Sequence, residues 1–160
     1  MIRMIAAVVA AALLAIGAAR AEPPALSQGE ALYVPVYSTV LHGNLDSRGK
    51  PAQVLLSSML SIRNTDPKGS IVIKSVKYYD TDGKMIRDYQ DARKNLGPFG
   101  SSDVFVEHKD TSGGNSANFV VVWESQTPVN PPIVECINAY FFGSQSVAFP
   151  STGRPIRSAD

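Results

Sequence analysis

The stretch that most constrains this chain is Ile71–Tyr89, IVIKSVKYYDTDGKMIRDY, where β-branched and aromatic residues run into Asp80-Thr81-Asp82-Gly83 and then resume. Two such runs around a turn of that composition read as a β-hairpin. Gly83 suits the left-handed position that closes a type I turn with a bulge, and Asp80 can accept hydrogen bonds from the turn. That geometry pairs Tyr78 with Ile86, whereas a two-residue Asp82-Gly83 turn pairs Tyr78 with Arg87. The bulged form is preferred because it buries more apolar surface. The apolar parity also changes inside the first strand, from Ile71 and Ile73 to Val76 and Tyr78, which predicts a bulge near Lys74-Ser75.

The hairpin belongs to a chain with an export leader. Arg3 precedes an apolar run, Met4–Ala19, that is short for a membrane span and ends in the small-residue pattern Ala19-Arg20-Ala21. This is a secretory signal peptide, expected to be cut after Ala21. The competing reading, an uncleaved anchor helix, is disfavoured by the Ala-rich run and by the polar residues that follow it at once. The mature chain is expected to be periplasmic or secreted, with no membrane contact after cleavage. Cleavage leaves 139 of 160 residues, enough for one domain with a core of its own. It also removes Arg3 and Arg20, leaving 13 basic against 14 acidic residues, a balance that excludes a nucleic-acid footprint. Cys136 stands alone, so no internal disulfide can form.

Along the mature chain, residues 22–29 read as a flexible tail, 30–150 as the domain and 151–160 as a polar C-terminal tail. Ala31–Leu41 is β-rich but holds Pro35, so it is expected at a sheet edge. Val54–Asn64 alternates, with Val54, Leu56, Ser58, Leu60 and Ile62 on one face. Asp91–Asn95 allows a short helical turn before Gly97-Pro98. Ser101–Glu107 reads as a strand with both faces covered, Phe119–Glu124 as a central, doubly covered strand, and Ser125–Pro132 as an extended connection. Ile133–Phe142 is another long strand, and Ser146–Phe149 can pair once more. Seven or eight strands with almost no helix make an all-β, two-sheet sandwich of immunoglobulin-like or fibronectin-like plan, preceded by the signal-peptide helix. The alternative is a small closed barrel.

Several blocks carry a family resemblance. Tyr33-Val34-Pro35-Val36-Tyr37-Ser38, Leu60-Ser61-Ile62-Arg63-Asn64-Thr65, Tyr78-Tyr79-Asp80 with Gly83-Lys84, Lys109-Asp110-Thr111-Ser112-Gly113-Gly114, Ala117-Asn118-Phe119 and Gly153-Arg154-Pro155-Ile156 come in the order seen in a bacterial secreted family catalogued as domain of unknown function 3124, which the chain resembles. That resemblance spans nearly all of the mature chain and implies no activity. The hairpin and the Leu96-Gly97-Pro98…Val104 stretch are more loosely similar to the second type of late-embryogenesis-abundant domain, a β-sandwich. This implies a fold only.

No residue pattern fixes a chemistry. Gly143-Ser144-Gln145-Ser146 lacks the second glycine of a nucleophile elbow, and Asp110-Thr111-Ser112-Gly113 has no partner carboxylate loop for an aspartic-protease dyad. Cys136, between Val134 and Asn138, reads as a buried, inert thiol rather than a nucleophile. Glu135 faces the other way and needs a partner such as Arg63 if that side is covered. Trp123 and Tyr140 suggest an aromatic platform, though a Trp closing a central strand more often belongs to the core.

If successive strands reverse, the loops starting at His42, Asp80 and His108 share one end of the sandwich. That end gathers Asp46 and the candidate ligand-binding residues His42, Asp82, His108, Asp110, Ser112, Gly113, Gly114 and Asn115. The glycine pair is suited to an anion-binding nest, or simply to a flexible connection. His42, His108 and Asp110 are the residues a divalent metal would use, against the simpler reading of a solvated polar end. No metal site is assigned and no cofactor is called for. The leading functional expectation is a non-enzymatic binding or accessory module for an unknown protein or small ligand. A structural or stress-protective domain is the alternative, and a small metal-dependent or hydrolytic enzyme stands last.

Overall fold

A computed structural model of the protein describes residues 22–157. The signal peptide expected over residues 1–21 lies outside the described residues. Among the described residues there are twelve strands and one 3-10 turn. The strands are β1 Ser27–Val36, β2 Thr39–His42, β3 Ala52–Leu55, β4 Ser57–Arg63, β5 Ile71–Tyr79, β6 Met85–Asp88, β7 Asn95–Leu96, β8 Ser101–Val106, β9 Ala117–Val129, β10 Ile133–Phe142, β11 Gln145–Thr152 and β12 Arg154–Ile156. They form one sheet in the order β12-β1-β9-β5-β6, with β7 also on β5, a second sheet in the order β11-β10-β4-β8, and a separate β2–β3 ribbon.

The two sheets make a sandwich, and each keeps free edges, so the barrel alternative is set aside. The core lies between them. Alternation along each strand sends Val34, Ile73, Tyr78, Phe119, Val121 and Trp123 inward from one sheet and Leu60, Ile62, Val104, Val106, Val134 and Cys136 from the other. Trp123, Tyr78 and Phe119 are the largest fully buried side chains. The rings of Tyr78 and Phe119 sit 4.9 Å apart, a contact of about 1 kcal/mol beyond the area it buries.

The central hairpin forms, with one correction. Gly83 adopts φ 79°, its amide donates to the Asp80 carbonyl, and the Asp80 amide donates to the Lys84 carbonyl, as in a type I turn with a bulge. Tyr79 therefore opposes Met85, but the register then slips and Tyr78 opposes Arg87 rather than Ile86. Ile86 and Tyr89 both pack against the core, and three residues apart they would face opposite ways in a regular strand. The second bulge resolves that conflict. The bulge expected near Lys74-Ser75 is present, between Ile73 and Ser75 against β9.

Other expectations change. Pro35 does not make β1 an edge strand, because β1 lies between β9 and β12. β12 reaches only Ala31, Leu32 and Tyr33, and the Pro35 carbonyl accepts from the Ser151 hydroxyl, so the missing N–H points away from the β9 ladder. The two long strands expected over Ala31–Leu41 and Val54–Asn64 are each broken, at Tyr37-Ser38 and at Leu56, and their outer parts pair as the β2–β3 ribbon. β9 is central but covered fully on one face only, and it runs through the presumed connection to Val129. Phe105 is exposed, so β8 too is covered on one face. The ends expected to be loose are strands in part: Ser27 pairs with Val129, and β12 carries the chain past Ser151 onto β1.

Candidate functional site

The loops after β1, β5 and β8 leave from one end of the sandwich. Val36 pairs with Ala117, Tyr79 with Asn118 and Val106 with Ser58, which aligns these strand ends. The predicted site residues divide there into two groups rather than one.

The first group surrounds Asp110. Ser112 donates to its Oδ1 through both amide and hydroxyl, and Arg87 Nη2 donates to Oδ2 at 3.1 Å. These hydrogen bonds, first those from Ser112 and then the Arg87 charge, hold the Asp110 carboxyl below its ordinary range against the opposing effect of burial. Arg87 also lies over the Tyr89 ring at 5.4 Å and donates to its hydroxyl at 3.1 Å. Arg87, Phe105, Glu107 and Asp110 line a cleft of about 310 Å³.

Beside it, the glycine pair has a structural task. The Gly113 carbonyl accepts from both the amide and the hydroxyl of Thr81, and the Ser116 amide donates to Thr81 Oγ1. A methyl group at Gly113 would overlap the Tyr78 hydroxyl and lie 2.7 Å from Ala117 Cβ. The loop is thus pressed onto the β5–β6 hairpin. The amides of Ser112, Gly114 and Ser116, three that a nest would aim at an anion, already donate to Asp110, Thr111 and Thr81. Asn115, His108 and Asp82 are at the surface, the last in the hairpin turn, where Asp80 Oδ1 accepts from its amide at 3.0 Å.

His42 belongs elsewhere. The Leu56 amide donates to the Ser38 carbonyl at 2.9 Å and the Ser38 hydroxyl meets that of Tyr78 at 3.1 Å, which pins the base of the β2–β3 ribbon. The ribbon then faces the inward side of the β10–β11 hairpin across a shared cleft. Val40, Val54, Tyr140 and Val147, with His42, Gln145 and Ser146, line an apolar cleft of about 280 Å³. Tyr37 and Phe149 make an edge-to-face contact at 5.5 Å between β1 and β11, and Phe141 and Phe142 at the hairpin tip are each 74% exposed.

The metal grouping of His42, His108 and Asp110 is not assembled: among the described residues no three His, Cys, Asp or Glu side chains gather as a metal would require. Asp46 is committed to its own loop, accepting from the amides of Arg48 and Lys50. Trp123 is in the core and far from forming a platform with the cleft residue Tyr140. Glu135 does pair with Arg63, at 2.7 Å on the outer face of the smaller sheet.

Sequence reasoning missed the apolar cleft. The available signal was in β10, where apolar residues continue on both faces past Asn138, and in β11, where Val147 recurs opposite Tyr140. It also missed Asn138. This residue is fully buried, and its Oδ1 accepts from the Tyr37 amide at 3.0 Å and the Ser58 hydroxyl at 2.9 Å, tying the base of the ribbon to β4 and β10.

Among the described residues no helix is long and apolar enough to cross a membrane. No curated protein matches the sequence. A solved chain titled "Crystal Structure of Thermotoga maritima 1070" is similar over 81% of this chain and 96% of its own, with 10% identity and a TM-score of 0.41, values too low to transfer a role. The family profile described as "Protein of unknown function (DUF3124)" matches residues 29–156, nearly the whole sandwich with both clefts, and the chain belongs to that family.

Proposed function

We propose that the chain is an exported, non-enzymatic binding module that docks an apolar segment of a protein partner in the cleft between the β2–β3 ribbon and the β10–β11 hairpin. The cleft itself is the observation that carries this reading: Val40, Val54, Tyr140 and Val147 supply apolar walls, and His42, Gln145 and Ser146 supply a few polar groups that can orient a ligand. A volume of about 280 Å³ is small for an enclosed cofactor and suits one or two side chains of an extended segment. The exposed Phe142, stacked on Tyr140, continues the apolar surface outward from it. The non-enzymatic part of the reading rests on the groups that chemistry would need. The single thiol is buried with its pKa pushed up to about 12, and the Asp110 carboxylate is engaged by Ser112 and Arg87. Export rests on the leader pattern Met1–Ala21.

The test is capture from a periplasmic extract with the exported protein and with Val147→Asp, a change at an exposed position that places a charge in the cleft wall. One stoichiometric protein held by the first and lost by the second, at unchanged melting temperature, is the expected result. Capture indifferent to Val147→Asp would overturn the site. A small apolar molecule carried through purification, seen by native mass spectrometry, would replace the protein partner.

A further inference from the structure

The two clefts at this end of the sandwich meet at one buried hydroxyl. Tyr78 enters the core from β5 with its ring fully buried and set 4.9 Å from that of Phe119, which carries the hydroxyl to a defined place. On one side it lies 3.1 Å from the Ser38 hydroxyl. On the other it rests against Gly113, where an added methyl would overlap it and lie 2.9 Å from the ring carbon that bears it.

The residues on its two sides belong to different clefts. Ser38 is the root of the β2–β3 ribbon: its carbonyl accepts from the Leu56 amide, its hydroxyl is buried, and beyond it the ribbon pairs with neither sheet. A two-stranded ribbon is marginal by itself, so its position depends on how its base is held. Val40, His42 and Val54 on that ribbon form one wall of the apolar cleft. Gly113 belongs instead to the loop that Asp110 organises. Ser112, next to it, donates to Asp110 through amide and hydroxyl, Arg87 holds the other carboxylate oxygen, and the Gly113 carbonyl accepts from Thr81 in the β5–β6 turn.

The hydroxyls of Ser38 and Tyr78 are each other's hydrogen-bond partner, with no second partner among the described residues. Leaving either one buried and unpaired costs more than the bond itself contributes. Movement of Gly113 away from Tyr78 gives the ring room to shift, and that shift takes the hydroxyl from Ser38. Ser38 then regains a partner where water reaches it, as the base of the ribbon opens. The Asn138 clamp on the Tyr37 amide ties the ribbon to the smaller sheet and has no part in the Asp110 loop.

We propose that the Tyr78 hydroxyl couples the two clefts, so that the packing of the Asp110 loop sets how firmly the ribbon wall of the apolar cleft is held. Tyr78 is a positioning residue in this scheme. Such coupling is reciprocal, and loosening the ribbon base loosens the loop. Its consequence for docking rests on the function proposed for that cleft, whereas the coupling itself is a property of the free chain.

Hydrogen exchange of the free protein, followed residue by residue by NMR, tests the proposal. Gly113→Ala presses a methyl onto the hydroxyl, and Asp110→Asn removes the charge that Ser112 and Arg87 engage without touching Tyr78. Each should speed exchange of the ribbon amides at 39–42 and 52–55 about fivefold. Val121, fully buried in β9, should stay protected, which separates local loosening from global unfolding. Ser38→Ala should in turn speed exchange over 111–116. In a Tyr78→Phe background, where ribbon exchange is already raised, neither Gly113→Ala nor Asp110→Asn should raise it further. Ribbon exchange unchanged in both Gly113→Ala and Asp110→Asn overturns the proposal, as does an equal rise with and without the Tyr78 hydroxyl, or a loop indifferent to Ser38→Ala. No partner enters this measurement, so its failure leaves the docking function standing, and failure of the Val147→Asp capture leaves the coupling standing.

Discussion

Cys136 and Asn138 stand two residues apart on β10, both fully buried, and demand opposite chemistry from their surroundings. Burial pushes the Cys136 thiol from an ordinary value of 9.0 up to about 12, because the thiolate cannot be solvated there. The folded state therefore favours the protonated thiol: this contribution is complete below pH 9 and is lost as pH rises towards 12. Burial also raises Tyr78 and Tyr89, which add to the alkaline loss above pH 10. Native thiol titration should be slow and become fast on unfolding, and Cys136→Ala should remove the decline in stability between pH 9 and 10. Fast labelling of the native protein would contradict the burial. Asn138 instead requires its partners. Asn138→Leu keeps the branched outline, with bulkier methyl groups, but strands the Tyr37 amide and the Ser58 hydroxyl, a cost of about 3 kcal/mol in urea unfolding. A loss below about 1 kcal/mol would show that these groups find other partners. The inward direction of Cys136 was legible from alternation alone. The role of Asn138 was not, because the two donors to its Oδ1 come from residues 80 and 101 positions away in sequence.

Among the elements, the central hairpin shows where local pattern suffices and where packing overrides it. The turn at Asp80–Gly83 follows from its residues, and the Ser75 bulge follows from the parity change between Ile73 and Val76. The second bulge answers a demand outside the turn, namely that Ile86 and Tyr89 both reach the core. The β2–β3 ribbon was hidden for a related reason. Val40 and Val54 continue the β-rich runs of β1 and β4, and only the buried Ser38, held between Tyr78 and Leu56, marks the departure. Two glycines separate backbone need from side-chain space. Gly83 has φ 79° and nothing within 4 Å, so Gly83→Ala should cost about 1 kcal/mol through backbone strain alone. At Gly113 an added methyl meets the buried Tyr78 hydroxyl and Ala117, so Gly113→Ala should destabilise more than Gly83→Ala in the same thermal unfolding series. The reverse order would contradict the packing of that loop on the hairpin.

For the whole molecule, the sandwich class was readable because strand periodicity and turn chemistry agree along most of the chain. The candidate site was readable only in its location. Reversal of successive strands placed the His42, Asp80 and His108 loops at one end, but sequence could not show that β2 and β3 divide that end into a cleft around Asp110 and an apolar one beside His42. With one buried cysteine and no disulfide, the core between the sheets must carry stability unaided. Export is the remaining whole-chain expectation: intact mass of the periplasmic protein should correspond to a start at Glu22, and a retained Met1–Ala21 would contradict it. The proposed docking of a partner in the apolar cleft is the central claim. Site-specific photo-crosslinking in living cells tests this most directly, with benzoyl-phenylalanine introduced at His42, at Val147 and, as a control on the opposite sheet, at Met85. The cleft reading predicts an adduct with the same single protein from positions 42 and 147 and none from 85. No adduct from either cleft position, or equal adducts from all three, would contradict it.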